Sequence, residues 1–344
     1  MQLPREVLIG NGVLDKVGEI YSGFGFKTPA LILSGPNTIK IAGEAVSNAL
    51  KEQGFDSDSF IVESPTMEVV NNVKEVILDS NPGVVIGVGG GKIIDVAKLS
   101  SMQEKLSFIS IPTAASHDGI ASSRASLKGF ETPSSIEASA PIAIIADTDV
   151  LSHAPYRLTA SGCGDVIAKY TSVFDWRLSS RVRGEYYGEY AASLALMSAK
   201  LVMRNVDLIV SKSVEGIRIL MEALISCGVA MSIAGSSRPC SGSEHLFSHA
   251  LDVVAPNSAL HGEQCGVGSI LMAYIQGQRW RRIRDKLKTV GAPINAEELG
   301  VDPDNIIQAL TEAHAIRKDR FTILGSEGLT RRAAERTAKA TGVI

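Results

Sequence analysis

Two hydrophobic rhythms run along this chain, and one gives way to the other near residue 155. From residue 30 to about 150, short apolar runs alternate with stretches whose apolar residues recur at helical spacing. Ala30 to Leu33 predicts a strand that stops at Ser34-Gly35-Pro36. Ile41, Ala45, Ala49 and Leu50 then share a helical face between Asn37 and Gln53, with Gly54 as C-cap. Phe60 to Val62 predicts a second strand and Met67 to Leu78 a second helix. Gly83 to Val88 is a third strand, running into Gly89-Gly90-Gly91 and a helix, and Phe108 to Ile111 and Ile142 to Ala146 are two more strands. Such alternation predicts a mostly parallel sheet with helices on both faces.

Past residue 155 the strand signal stops. Helices are expected over Asp165 to Leu178, Gly184 to Val206, Val214 to Ala234, Ser243 to Val253 and Gly262 to Arg279, with several more near the C-terminus. Breaks such as Gly235-Ser236-Ser237-Arg238-Pro239 separate them. The expected organisation is an α/β dinucleotide-binding domain over 1–155 and an all-α domain over 156–344.

Composition narrows the class. With 344 residues, 45% hydrophobic and 21% charged, the chain can bury a core without staples. Lys+Arg 34 against Asp+Glu 37 gives a net charge of -3 with no basic run, which argues against a nucleic-acid binder. No segment reaches the roughly 18 consecutive apolar residues of a membrane span. The start, MQLPREVLIG, has no basic leader before an apolar segment, so no export is expected. Cysteines at 163, 227, 240 and 265 form no CxxC pair, as in a reduced cytoplasm.

Residues 84–98, VVIGVGGGKIIDVAK, end a buried-type strand in three glycines and start a helix at once. Glycines let backbone N–H groups approach a pyrophosphate, and the helix N-terminus adds partial positive charge. The pattern is not GxGxxG, and a tight strand-to-helix corner needs the same residues. Asp95 and Lys98 fall on the first turns of that helix, beside the phosphate position; a surface ion pair at i, i+3 is their other reading. The segment IPTAASHDG, residues 111–119, follows the next strand, where a parallel sheet places its ligand.

In the helical half, Gly162-Cys163-Gly164-Asp165, the run from Gly242 to His249, and Leu260-His261-Gly262-Glu263 bring carboxylates and imidazoles. Two histidines and one carboxylate suit a divalent metal that keeps a position open for substrate. No local rule such as HExxH covers these spacings. His245 and His249, at i, i+4, make a competing pair, and a lone histidine is more often structural. Thiolates also bind zinc, although small buried hydrophobes are the plainer reading of Cys163 and Cys265.

Five motifs stand in order: GVGGGKIIDVAK, PTAASHDGIASSRASL, SGCGD, EHLFSHAL and ALHGEQCGVG. In this combination the chain resembles the iron-containing alcohol dehydrogenase and glycerol dehydrogenase superfamily over nearly its whole length. Within it, the chain is most similar to the archaeal sn-glycerol-1-phosphate dehydrogenases. The resemblance implies a dehydroquinate-synthase-like architecture with the active site in the cleft between the domains. It implies Zn2+ on Asp165, His245 and His261, with Asp165, His249 and Asp118 as the catalytic and substrate-binding residues. Gly91, Lys92, Ile93, Ile94 and Asp95 resemble the pyrophosphate turn, and Thr113, Ala114, Ala115, Ser116 and Ser122 the nicotinamide-side contacts.

The reaction so implied reduces dihydroxyacetone phosphate to sn-glycerol 1-phosphate with NADH or NADPH, for archaeal membrane lipids, in a cytoplasmic homo-oligomer. One alternative is a zinc glycerol dehydrogenase acting on unphosphorylated glycerol, whose kin often carry Thr where this chain has His117. A more distant one is a dehydroquinate-synthase-like lyase, whose polyanionic substrate demands more Lys and Arg. A cationic phosphate pocket would set the main reading apart from glycerol dehydrogenase. Arg317, Lys318 and Arg320 form a local cationic group, with a solvated helix end as the alternative.

Overall fold

The computed structural model describes residues 3–127, 135–256 and 258–344. Two compact units make up the chain: Met1–Ala115 with Gly119–Pro155, and Ser116–Asp118 with Tyr156–Ile344.

The first unit holds strands β1 (Glu6–Gly10), β2 (Ala30–Ser34), β3 (Ser57–Ile61), β4 (Val84–Gly89), β5 (Ser107–Pro112), β6 (Arg124–Ser126), β7 (Ser135–Glu137) and β8 (Ala143–Asp147). Six of them form a parallel sheet in the order β1-β8-β5-β4-β2-β3, and β6 and β7 form a small antiparallel pair. Its helices are α1 (Val17–Gly23), α2 (Glu44–Glu52), α3 (Met67–Ser80), α4 (Gly91–Gln103) and α5 (Thr148–His153).

The apolar runs become strands because both sheet faces are covered: every residue of β2, β4 and β8 is buried. Successive side chains serve opposite layers. Ile32, Ile86, Ile109 and Ile145 share a core with Val17, Ile20 and Leu50, whereas Leu31, Leu33, Val85 and Phe108 share one with Val70, Val73, Val96 and Leu99.

The β6–β7 pair and β1 are absent from the sequence expectation. Each is short, and β1 is an edge strand with Val7 exposed, so its register with β8 defines it better than its own apolar run. The helix expected over 37–53 occurs as a π-turn, Ile39–Gly43, continuing into α2.

Sheet order also marks a topological switch point. From the adjacent strands β2 and β4, the chain builds outward to β3 on one side and to β5 and β8 on the other. Open parallel sheets bind ligands at the carboxyl ends of such a pair. Those ends are Ser34-Gly35 and Gly89-Gly90.

Among its described residues the second unit has helices and no strand: α6 (Tyr156–Ile167), α7 (Lys169–Arg183), α8 (Glu189–Arg204), α9 (Val206–Val210), α10 (Val214–Ala234), α11 (Ser243–Val254), α12 (His261–Ile275), α13 (Trp280–Thr289), α14 (Ala296–Leu299), α15 (Pro303–Ile316) and α16 (Arg331–Thr341). By length and composition α10 is apolar enough to cross a membrane. It carries Glu215, Arg218 and Glu222, buries Ile217, Leu220 and Leu224, and packs along α8, as a core helix does.

The single helix expected from Asp165 to Leu178 is instead two, and the first begins at Tyr156. Gly162 and Gly164 weaken its helical signal. Tertiary packing explains Gly164, because α6 and α12 cross at glycines. A Cβ on Gly164 would stand 2.2 Å from the Gly262 carbonyl oxygen, and one on Gly262 would stand 1.9 Å from that of Ser161. Main chain meets main chain there.

Candidate active site

At the switch point the chain leaves β4 through Gly89 and Gly90 and opens α4 at Gly91. These glycines have different duties. A Cβ on Gly87 would lie 2.9 Å from that of Ala97, and one on Gly89 would lie 2.6 Å from Ile93, so both permit the helix to close on the strand. A Cβ on Gly90 would meet nothing within 4 Å. No side chain caps α4, and the first helix bonds from Ile93 and Ile94 return to Gly90 O, which leaves the N–H groups of Gly91 and Lys92 to face an anion. Lys92 is exposed, while the side chains of Ile93 and Ile94 belong to the core.

Thr113 N–H donates to Gly89 O at 3.1 Å and sets Thr113, Ala114 and Ala115 beside this turn. Ser122 Oγ donates to Arg124 O at 3.3 Å, within its own turn. Asp95 and Lys98 pair at 2.9 Å, buried rather than at the surface. Lys98 Nζ also donates to Gly119 O at 2.7 Å and to Arg124 O, and Asp95 Oδ2 accepts the Ser126 N–H at 3.0 Å. The pair staples residues 119–126 to α4.

Two further residues brace the switch point. Ser34 Oγ and Thr38 Oγ1 donate to Val88 O at 2.9 and 3.0 Å, and Thr38 Oγ1 accepts the Gly35 N–H at 2.8 Å. In the sequence, Ser34-Gly35-Pro36 reads only as a strand stop. The available signal was a hydroxyl at the end of a fully apolar run.

In the second unit, α6, α11 and α12 gather a carboxylate, imidazoles and a thiol. Asp165 Oδ1 lies 3.6 Å from His245 Nε2. One nitrogen each of His245 and His261 and the Cys265 Sγ lie within 4.8 Å of one another. His261 Nε2 is 3.6 Å from that sulfur.

Buried neighbours aim both rings. Glu244 Oε1 is 2.8 Å from His245 Nδ1, and Glu244 itself accepts the Gly242 N–H at 2.7 Å and the Thr171 hydroxyl at 2.7 Å. Ser248 Oγ lies 3.2 Å from His261 Nδ1 and donates to Gln264 Oε1 at 2.6 Å. With each Nδ1 engaged, each Nε2 is the metal-ready nitrogen. Ligands about 2.0–2.3 Å from one tetrahedral zinc stand about 3.5 Å apart; Asp165 Oδ1 and His245 Nε2, at 3.6 Å, match that spacing, whereas the three-donor group of His245, His261 and Cys265 does not include Asp165.

Cys265 therefore belongs to the cluster rather than to the plain core. Burial raises its thiol pKa, but His245 and His261 bring it to about 7. Cys163 is buried with its thiol pKa raised by burial, and it is an apolar packing residue. His249 is only partly buried, and the His245–His261–Cys265 group does not include it. Its ring centroid is 6.0 Å from that of His261. Burial and then the charges of His261, His245, Arg317 and Arg320 push its imidazole down to about 3, so it stands neutral.

Lys169 was not anticipated. Fully buried, its Nζ meets Asp165 Oδ1 at 2.5 Å and Asp118 Oδ2 at 2.7 Å, while Asp165 Oδ2 accepts the Asp118 N–H at 2.8 Å. Burial alone would push this ammonium down; Asp118 and Asp165 hold it well above its usual range. Burial would likewise raise Asp165, yet Lys169, His245 and His261 hold it well below. The legible signal was a lysine at i, i+4 from Asp165. Ser116, in the same unit, offers its carbonyl oxygen to Ser161 Oγ at 3.3 Å.

Comparison with known proteins identifies the family. A family profile described as iron-containing alcohol dehydrogenase matches residues 8–155. A glycerol-1-phosphate dehydrogenase [NAD(P)+] of Thermococcus kodakarensis is 56% identical over 344 residues, spanning 100% of this chain and 98% of the relative. One from Methanothermobacter thermautotrophicus is 54% identical, spanning 100% and 99%. The crystal structure of glycerol dehydrogenase from Schizosaccharomyces pombe has the same fold, with a TM-score of 0.83 at 19% identity over 99% of this chain and 89% of the other. At such identity over its full length, the chain belongs to the glycerol-1-phosphate dehydrogenase family of iron-containing alcohol dehydrogenases.

Proposed function

We propose that this chain catalyses the NAD(P)H-dependent reduction of dihydroxyacetone phosphate to sn-glycerol 1-phosphate, with zinc held by Asp165, His245 and His261. One observation supports the metal assignment above the others: Glu244 and Ser248 occupy the Nδ1 side of both imidazoles, so that the Nε2 atoms remain for an ion. Bound there, zinc supplies Lewis-acid polarisation of the C2 carbonyl, and the reduced nicotinamide supplies the hydride.

The remaining tasks fall to the chain's own groups. Lys169 fixes Asp118 and Asp165 and balances their charge, which leaves Asp118 to orient the substrate. His249, neutral among cations, orients the water that protonates the carbonyl oxygen. The N–H groups of Gly91 and Lys92 take the pyrophosphate, and the Thr113–Ser116 segment lies on the nicotinamide side. The product supplies the glycerophosphate backbone of archaeal membrane lipids.

The test uses the full chain loaded with zinc, with NADPH or NADH and either ketone. Dihydroxyacetone phosphate should be reduced far more efficiently than dihydroxyacetone, and chiral analysis should give sn-glycerol 1-phosphate. Equal efficiency on both ketones, or the opposite enantiomer, would sink this reading.

A further inference from the structure

Two buried arginines of the helical unit have very different partners. Arg238, 3% exposed, holds Glu185 with Nε at 2.8 Å and Nη2 at 2.5 Å, and Nη2 also donates to Phe321 O at 2.9 Å. Its Nη1 is buried with no acceptor among the described residues. Arg320, 9% exposed, has no carboxylate within ion-pair distance among the described residues. Its Nη1 donates to Ser241 O at 2.6 Å and its Nη2 to Ser237 Oγ at 2.8 Å, both neutral. Among the described residues Arg317, partly buried, reaches only Asp319, at 3.4 Å, whereas Lys318 is exposed.

A guanidinium taken out of water without a counter-ion is costly, and a fold that keeps one there has a use for an anion. Two of the five Arg320 N–H donors are spent, which leaves a fork suited to phosphate oxygens. Location supplies the second argument. Ser241, which Arg320 grips, leads directly into α11, the helix that carries His245 and His249. The charges of Arg317 and Arg320 are felt at His249, and crowding by Arg317 and Arg238, after burial, brings the Arg320 guanidinium down to about 9.

We propose that Arg320 and Arg317, backed by Arg238, form the subsite that receives the phosphate dianion of the substrate and sets the preference for the phosphorylated ketone. This rests on the glycerol-1-phosphate dehydrogenase reading. Lys318, though adjacent in sequence, has no part in it.

The experiment measures kcat/KM for dihydroxyacetone phosphate and for dihydroxyacetone with zinc-loaded full-length chain at saturating cofactor. Native protein is compared with Arg320→Gln, Arg320→Lys and Arg317→Gln. Inorganic phosphate is the binding probe. Each lost charge-assisted hydrogen bond should cost about 10- to 100-fold. Arg320→Gln should therefore lose about 100-fold on the phosphorylated ketone, with zinc content, cofactor KM and dihydroxyacetone kinetics unchanged. Arg320→Lys should recover part of the loss. Phosphate should compete with dihydroxyacetone phosphate in native protein, and more weakly by the same factor in Arg320→Gln.

Arg317→Gln decides the matter should Arg320→Gln fail to fold, because Arg317 makes one long contact. Native discrimination that survives in both variants overturns the subsite while leaving the reaction intact. Phosphate that competes with NADPH instead moves the arginines to the cofactor and also overturns it. A native enzyme indifferent to the phosphate overturns the underlying reaction, and the subsite with it.

Discussion

The glycine turn after β4 and the histidine cluster on α11 and α12 solve opposite problems. On the proposed reading the turn works through main-chain donors, so its requirement is an absence: no side chain at Gly90, and no cap on α4. The cluster is designed for side chains, so its requirement is a surplus of buried polar support from Glu244, Thr171, Ser248 and Gln264. A backbone site is defined by what may approach it, whereas a side-chain site is defined by what stands behind it. Mutations should therefore injure the two in different currencies.

The largest effect is expected at the cluster. His261→Ala should release zinc and lower turnover about 10³-fold, since metal polarisation contributes several kcal/mol. Metal analysis beside the rate checks this, and full zinc with native turnover would reassign the ligands. In the sheet unit the comparable buried charge is Lys98, which is a staple. Lys98→Met leaves Asp95 unpaired and should cost about 3–5 kcal/mol in urea unfolding, with zinc content untouched.

Glu244→Gln should keep the fold and weaken zinc about 10- to 100-fold, read by competition with a chelator. A native zinc affinity there would erase the distinction drawn above. The smallest effect is expected at the turn. Gly90→Val should raise the cofactor KM about tenfold with little change in stability. The neighbouring Gly89→Val, whose Cβ would meet Ile93 at 2.6 Å, should instead cost about 1–3 kcal/mol of stability.

The same contrast explains what the sequence made legible. Buried parallel strands announce themselves because both faces are apolar, so β2, β4, β5 and β8 stand out as runs while β1 and β6 do not. Helical periodicity marked α10 and α11 closely, but it missed the start of α6, where glycines serve a crossing rather than the helix. Candidate ligand residues stood out as residue types. Their spacing leaves the histidine pairing open, and the i, i+4 spacings of Lys169 from Asp165 and of Cys265 from His261 do not say that Lys169 also reaches Asp118, that Cys265 also meets His245, or that Arg320 is buried without a carboxylate. Those facts come from tertiary neighbours far apart in the chain.

Asp165 directly follows Gly164, and His261 directly precedes Gly262, at the point where α6 and α12 touch. The bite of the site therefore has no shim. Elsewhere in the bundle, large and small residues can be exchanged over generations without opening or pinching the gap between these two side chains, because atoms of the main chain are already in contact. At the two glycines the tolerance vanishes: one added methyl group would act as a wedge, levering the carboxylate away from the imidazole. The surrounding core absorbs change, and for this gap the brittleness lies at two positions that carry no side chain at all.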